Sequence, residues 1–110
     1  MADKQKKTIK DLPEDERPRE KLLKYGADKL SDTELIAILL RTGTKGKSAV
    51  EMAEEILKSA GGTFKGLAGK DIDEITKTPG IKNAKVITIA AALEISRRVS
   101  KQILKDKGII

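Results

Sequence analysis

The sequence predicts an all-α fold, and two observations carry the prediction. Three helix starts are marked by capping boxes, in which Ser or Asp is followed three residues later by Glu; the pairs are Ser31/Glu34, Ser48/Glu51 and Asp71/Glu74. No segment alternates apolar and polar residues for more than a few positions, as a half-buried strand would. We therefore expect a compact bundle of about five helices with one or two helix-hairpin-helix elements.

Signals in the first half define three helices. Pro18 suits the first turn of one helix, and Gly26 suits the residue after its end. The helix over residues 31–41 is apolar on almost every side, so we expect it to be the central and most buried element. The helix that Ser48 opens ends at the glycine pair 61–62.

The second half predicts a connector and two further helices. The connector, residues 63–70, has room for one helical turn around Phe64 and Leu67. A short helix follows over 71–77, and a long last helix runs from 83 to about 105. The domain boundaries follow from these elements. We expect a flexible N-terminal segment at 1–13, a helical domain at 14–105, and at 106–110 the start of a linker to a further domain.

Positive charge is concentrated in one part of the chain. The formal net charge is +6, and the stretch from Lys77 to Lys107 holds eight bases against two acids, so it accounts for the whole excess. The remainder has fifteen bases and fifteen acids. Charge segregated in this way favours a polyanionic partner more strongly than a high isoelectric point does.

The composition excludes several classes of site. The chain has no Cys and no His, so a disulfide framework, a thiolate site and a zinc site of the usual ligands are ruled out. The carboxylates stand at helix starts, where caps and helix dipoles explain them. We predict no catalytic residue, no metal and no cofactor. No apolar run suits a membrane span or a signal peptide, and a cytoplasmic location is expected.

The turn between the last two helices is the leading candidate site. Pro79 ends the preceding helix, Gly80 leaves room for close approach to the backbone, and Ile81 is expected to plug the gap between the two helices. Backbone N–H groups at the next helix start, flanked by lysines, suit a phosphate of nucleic acid. The predicted DNA phosphate-binding residues are Thr78, Gly80, Lys82, Asn83 and Lys85. The alternative is a plain helix connection with solvated lysines.

A second glycine-rich loop precedes the Ser48 helix. It ends in Gly-Lys-Ser as a nucleotide-binding P-loop does, but Arg41 stands where that pattern needs Gly, and a helix replaces the required strand. Nucleotide hydrolysis is therefore the least favoured interpretation, and thermal stabilisation by ATP or GTP with magnesium would revive it. Phosphate contact and a flexible connector are the two alternatives for this loop. The candidate secondary contacts are Gly43, Thr44, Lys45, Gly46, Lys47 and Ser48. A Gly-x-Lys pattern links this loop to 80–82 as a faint internal repeat.

The type of nucleic acid follows from the aromatic content. Tyr25 and Phe64 are the only aromatic residues, too few for the stacking platforms of single-strand binders. Backbone contact with duplex or branched DNA, without sequence preference, fits better. The basic tail from Arg97 to Lys107 could face DNA or be a solvated helix end.

Several motifs resemble one known family. Residues 19–27 (REKLLKYGA), 30–43 (LSDTELIAILLRTG) and 46–48 (GKS) are similar to the N-terminal domain of the bacterial RadC-like family (UPF0758), which is named for DNA repair. The resemblance covers about residues 9–100. In it, 78–82 (TPGIK) looks like a helix-hairpin-helix element, with Lys82 where such elements usually have a second Gly.

The resemblance implies a DNA-binding domain of a repair or recombination protein. It also implies a C-terminal domain of the metal-dependent JAB/MPN type with His and Asp ligands, and this chain has no His. The alternative is a protein-interaction module, since the last helix is broadly apolar from Val86 to Leu93. A homodimer and a contact with the family's C-terminal domain are both open under that interpretation.

Overall fold

The structure is a computed structural model that describes residues 17–44, 46–77 and 81–110. Every regular element in these ranges is helical, which confirms the all-α prediction; six α-helices stand where about five were expected. They are α1 (Pro18–Tyr25), α2 (Asp32–Leu40), α3 (Ala49–Ser59), α4 (Phe64–Ala68), α5 (Ile72–Thr76) and α6 (Asn83–Asp106), with a 3₁₀ turn at Ala27–Lys29. The proposed flexible segment at 1–13 lies outside the described residues.

The predicted capping boxes form at three helix starts. At α2 the Ser31 hydroxyl accepts from the Glu34 N–H at 3.1 Å, and the Glu34 carboxylate accepts from the Ser31 N–H at 2.9 Å. Ser48 and Glu51 repeat this exchange at α3, and Glu74 accepts from the backbone at the start of α5. Because each box satisfies N–H groups that the helix itself cannot, it fixes where the helix begins.

The core is centred on α3. Five of its eleven residues are buried, whereas α2 buries three and leaves the rest of its apolar positions half-exposed. The prediction that α2 is the most buried helix is therefore wrong, although α2 does lie between α1, α3 and α6. An open apolar groove beside α2 and α6 explains the difference. The largest fully buried side chains are Ile36, Leu40, Met52, Ile56, Leu67, Val86 and Ile89.

The last helix joins the core only through its first half. Val86 and Ile89 are buried, and Ile81, which was predicted to plug the gap between the last two helices, packs against the core just before α6 begins. From Ile95 onward every residue is exposed. A helix of 24 residues is about 36 Å long, so roughly half of α6 projects beyond the packed helices. Within the described ranges, no helix has both the length and the apolar character to cross a membrane.

A packing contact fixes the short helix α4. The Thr63 hydroxyl caps it by accepting from the Gly66 N–H at 2.9 Å, which matches the predicted single turn around Phe64 and Leu67. A Cβ on Gly66 would collide with the carbonyl oxygen of Ala60. Glycine is required here because the end of α3 and the start of α4 touch through their backbones.

This contact predicts opposite outcomes for two glycines of the same segment. Gly66→Ala should destabilise the domain by about 1–3 kcal/mol, because the backbone must move to relieve the overlap. Gly69→Ala should be neutral or slightly stabilising, since Gly69 has φ −85° and a Cβ there meets only ordinary contacts. Urea unfolding followed by circular dichroism measures both. Equal losses for the two variants would contradict the packing argument.

Candidate nucleic-acid interface

The start of α6 is tied to the end of α2 by one lysine. The Lys85 ammonium donates to the carbonyl oxygens of Leu40 and Thr42, each at 2.6 Å. The last carbonyls of a helix have no partner within the helix and carry its negative partial charge, so a cation there is favourable. Lys85 therefore connects two elements that lie more than forty residues apart in the sequence.

The backbone at Arg41 makes a tight and unusual turn. Its φ of 69° and ψ of −56°, with the Thr42 N–H donating to the Leu40 carbonyl at 2.8 Å, define a γ-turn of the rare, strained kind. Arg41 is the one non-glycine residue with positive φ among those that the structure describes. Strained backbone of this kind clusters at functional sites, so the observed turn makes Arg41 a candidate functional residue.

Three cations converge around this turn, and we name Arg41, Lys82 and Lys85 the basic cluster. They line an open pocket of about 330 Å³, and none of the described residues lining it is acidic; the other lining residues are Leu39, Leu40, Thr42, Ala84 and Thr88. Burial lowers the pKa of Lys85, and the positive charges of Lys82 and Arg41 lower it further. The pocket is thus a region of positive potential that no lining carboxylate neutralises.

The start of α6 differs from the boxed helix starts. Its N-cap, Lys82, forms no side-chain cap, and the N–H groups of Asn83 and Ala84 find no acceptor within the described ranges. These donors stand at the positive end of a helix of 24 residues. Such an arrangement suits an anion that accepts hydrogen bonds from the backbone.

The predicted phosphate-binding residues at the start of α6 do not all face solvent. Lys82 and Asn83 are exposed at the start of α6, whereas the Lys85 ammonium is turned toward the end of α2. Thr78 and Gly80 lie outside the described residues. Arg41 is a neighbour of this site that the sequence did not predict. In the sequence it stood out only as a mismatch to the P-loop pattern. Its only signal was a basic residue directly after an apolar helix.

The second loop is a tight turn that forms backbone hydrogen bonds within itself. Thr44 and Lys47 exchange backbone hydrogen bonds at 2.9 and 3.0 Å, and Gly46 has φ +88°. A Cβ on Gly43 would collide with the Lys47 carbonyl, which gives that glycine a packing role. The predicted Lys45 lies outside the described residues.

Carboxylates dominate the surroundings of this loop. The Lys47 ammonium pairs with Glu55 at 2.6 Å, and Ser48 is engaged with Glu51 in the α3 capping box. Lys47 is thus neutralised, and the helix start that follows the loop is capped. The two predicted phosphate loops are therefore not equivalent, and the start of α6 has the stronger positive potential.

Part of the basic tail is neutralised as well. Arg97 and Arg98 both bind the Glu94 carboxylate, at 2.7 and 2.8 Å. Hydrogen bonds from Arg97 and then Arg98 lower the pKa of Glu94 to about 2. The described residues contain no group of three or more acids arranged to hold a metal ion.

These observations define a small all-α domain with a basic cluster at an uncapped helix start. The chain belongs to the UPF0758 family, because the sequence model of the family's N-terminal domain, described as UPF0758 N-terminal, matches residues 9–87. No solved structure matches the chain.

Bacterial relatives support the assignment. UPF0758 protein GK2618 of Geobacillus kaustophilus is 45% identical over 102 residues, covering 93% of this chain and 45% of that protein. A UPF0758 protein of Nitrosomonas eutropha is 47% identical over 102 residues, which cover 93% of this chain and 45% of that protein. One from Desulfitobacterium hafniense is 48% identical over 90 residues, covering 82% of this chain and 39% of that protein. The chain thus spans less than half the length of these relatives.

The contact between the end of α2 and the start of α6 predicts different roles for Lys82 and Lys85. Lys85→Met should destabilise the domain by about 1 kcal/mol, because two carbonyls at the end of α2 lose a charged donor. Lys82→Met should change stability by less than about 0.5 kcal/mol, since its exposed side chain forms no cap. Thermal unfolding of the two variants tests this. A stable Lys85→Met protein would show that the connection does not hold the helices.

Proposed function

We propose that this domain binds the sugar–phosphate backbone of DNA without reading base sequence, in a repair or recombination protein. The observation that carries the proposal is the convergence of Arg41 and Lys82 on the uncapped start of α6. Both side chains are exposed, and no ion pair joins either to another described residue. The segregated charge of the stretch from 77 to 107 supports a polyanionic partner.

Each part of the site has a separate role in this proposal. The N–H groups of Asn83 and Ala84 donate to one phosphate, and the helix dipole favours its charge. Lys82 flanks that phosphate, and the guanidinium of Arg41 can bind a phosphate through two parallel hydrogen bonds. Lys85 contributes its charge while its ammonium holds the end of α2. Thr78 and Gly80 complete the predicted site, and the loop at 43–48 supplies a weaker second contact.

Contact with the backbone of a duplex or a branched DNA suits this surface better than base stacking. Tyr25 is half-exposed but lies under the Lys24 ammonium, 5.2 Å from its ring centroid. Phe64 lines an apolar groove between α2, α4 and α6. The two rings belong to separate surfaces, so they form no platform for successive bases.

The proposal predicts a salt-dependent interaction that depends on Lys82. Titration of a short labelled duplex by fluorescence anisotropy should give an affinity that falls steeply between about 50 and about 200 mM salt. Lys82→Met should weaken binding several-fold at low salt and reduce the slope of log K against log salt by about 1. The matched control is Lys58→Met, which removes the same charge at the far end of α3.

Two results would contradict the proposal that the domain binds DNA. One is the absence of binding to duplex and branched DNA at low salt. The other is an equal effect of Lys82→Met and Lys58→Met, which would reduce the interaction to net charge alone. Changing the base sequence of the duplex at constant length should leave the affinity unaltered, since phosphate contacts carry no sequence information.

The strained turn predicts that stability and binding move in opposite directions at Arg41. Arg41→Gly should stabilise the domain by about 1 kcal/mol, because glycine adopts positive φ without strain. The same change should weaken DNA binding, since a phosphate ligand is lost. Arg41→Gln, which keeps the strain and removes the charge, should weaken binding without raising stability. A gain of affinity in Arg41→Gly would contradict a phosphate-binding role.

The alternative function is a protein-interaction module. It is favoured by the exposed apolar residues on the second half of α6 and by the groove beside them. The partner in that case is a second chain or the remainder of the longer family members. A partner that survives high salt, together with no DNA binding, would favour this function over the first.

A further inference from the structure

The second half of α6 carries an apolar stripe that no described residue covers. Ile95, Val99 and Ile103 are 65%, 53% and 47% exposed and recur at intervals of four residues. At 3.6 residues per turn they fall within about 80° of one face. We name this stretch, residues 95–106, the arm. An isolated helix of this length is marginally stable in water, so covering its apolar face would stabilise it.

An apolar groove lies next to the stripe. Its volume is about 440 Å³; the lining residues are Ile36, Leu39, Phe64, Leu67, Ala68, Ile89, Ala92, Leu93, Ser96, Arg97 and Ser100. The small residues Ala92, Ser96 and Ser100 recur at intervals of four along α6, so this side of the groove lets a helix approach closely. Leu39 and Phe64 form the opposite wall. Arg97, the one charged residue among the described lining residues, is already paired with Glu94.

The groove and the stripe complement each other in shape and chemistry. A groove with one wall of small residues and an opposite wall of large apolar residues suits a helix that presents apolar side chains at intervals of four. The arm is such a helix. It cannot enter the groove of its own chain, because it continues the helix that forms one wall of that groove. A second copy can supply it.

We propose that two copies of this chain pair through α6, antiparallel and about a two-fold axis near residue 98. In this arrangement Ile103 of each copy lies over the partner's groove, and the two Val99 side chains lie close to the axis. Only an antiparallel pair places each arm on the other groove, because the groove lies on the N-terminal side of the arm. The interface is therefore the same patch on both copies, as a two-fold dimer requires.

The charge distribution permits this pairing. At 100° per residue, Lys101 and Lys105 lie on the side of α6 turned away from the stripe, Arg98 lies at the edge of the stripe next to Ile95, and Asp106 falls on the stripe at the end of the helix. Two copies can therefore bury the stripe without removing Lys101 and Lys105 from water, and antiparallel pairing keeps the two Asp106 carboxylates about 24 Å apart. Each arm is only about 18 Å long, so we expect a weak dimer with a dissociation constant on the order of 10–100 μM.

Sedimentation velocity of the intact chain across a wide concentration range tests the proposal. The wild type should pass from monomer to dimer, and high salt should not weaken the dimer. Val99→Asp should raise the dissociation constant at least about tenfold, because it places a charge at the interface. The matched control is Ile87→Asp, which makes a similar change at a 66% exposed position on the same helix outside the groove. Circular dichroism verifies that both variants fold.

Cysteine cross-linking tests the orientation, since the chain contains no natural cysteine. Chains carrying Ala92→Cys and chains carrying Ile103→Cys are mixed and oxidised. The antiparallel pair should give the mixed disulfide well above the statistical share, whereas a parallel pair would give the like-with-like products. A chain that stays monomeric at every concentration, or equal effects of Val99→Asp and Ile87→Asp, would overturn the proposal.

Discussion

The arrangement of the basic cluster depends on the hydrogen bonds from the Lys85 ammonium to the end of α2. These bonds occupy carbonyls that α2 cannot satisfy within itself, and they bring the start of α6 to the γ-turn at Arg41. Without them, the buried Val86 and Ile89 would still hold α6 against the core, but the start of α6 would lose its hydrogen bonds to the end of α2 beside Arg41. A lysine that the sequence suggested as a ligand for phosphate thus also acts as a connector, and this connection gives Arg41 and Lys82 a common neighbourhood.

Local signals in the sequence predicted most of the fold and only part of the site. The helix starts at Ser31 and Ser48 were predictable because a capping box is complete within four residues of chain. The partner of Lys85 was not, because it lies 45 residues away and depends on how the helices pack. The conformation of Arg41 had no signal either, since positive φ is expected of glycine and Gly43 stands two positions later.

The faint internal repeat separates into two different helix starts in the structure. At α3 the Glu51 carboxylate occupies the N-cap N–H, and Glu55 neutralises Lys47. At α6 the cap position is Lys82, whose side chain has no oxygen with which to accept a hydrogen bond. One start is closed by the chain's own carboxylates, whereas at the other no described residue accepts from the N–H groups of Asn83 and Ala84. The difference arises at the N-cap, which is Ser48 at α3 and Lys82 at α6. The Gly-x-Lys pattern pairs Lys82 with Lys45 instead, so it made the two loops look alike without comparing their caps.

The two proposed surfaces lie at opposite ends of one helix, and this has a consequence for DNA. If two copies pair antiparallel near residue 98, each Lys82 lies about 24 Å from the axis, and the two basic clusters lie roughly 48 Å apart along the helix direction. Each cluster alone offers few phosphate contacts, so a single copy binds weakly. A pair engages two backbone segments at once, and the second contact forms at a high effective concentration. Weak pairing would then make DNA affinity rise with protein concentration, because the apolar arm determines how many basic clusters act together.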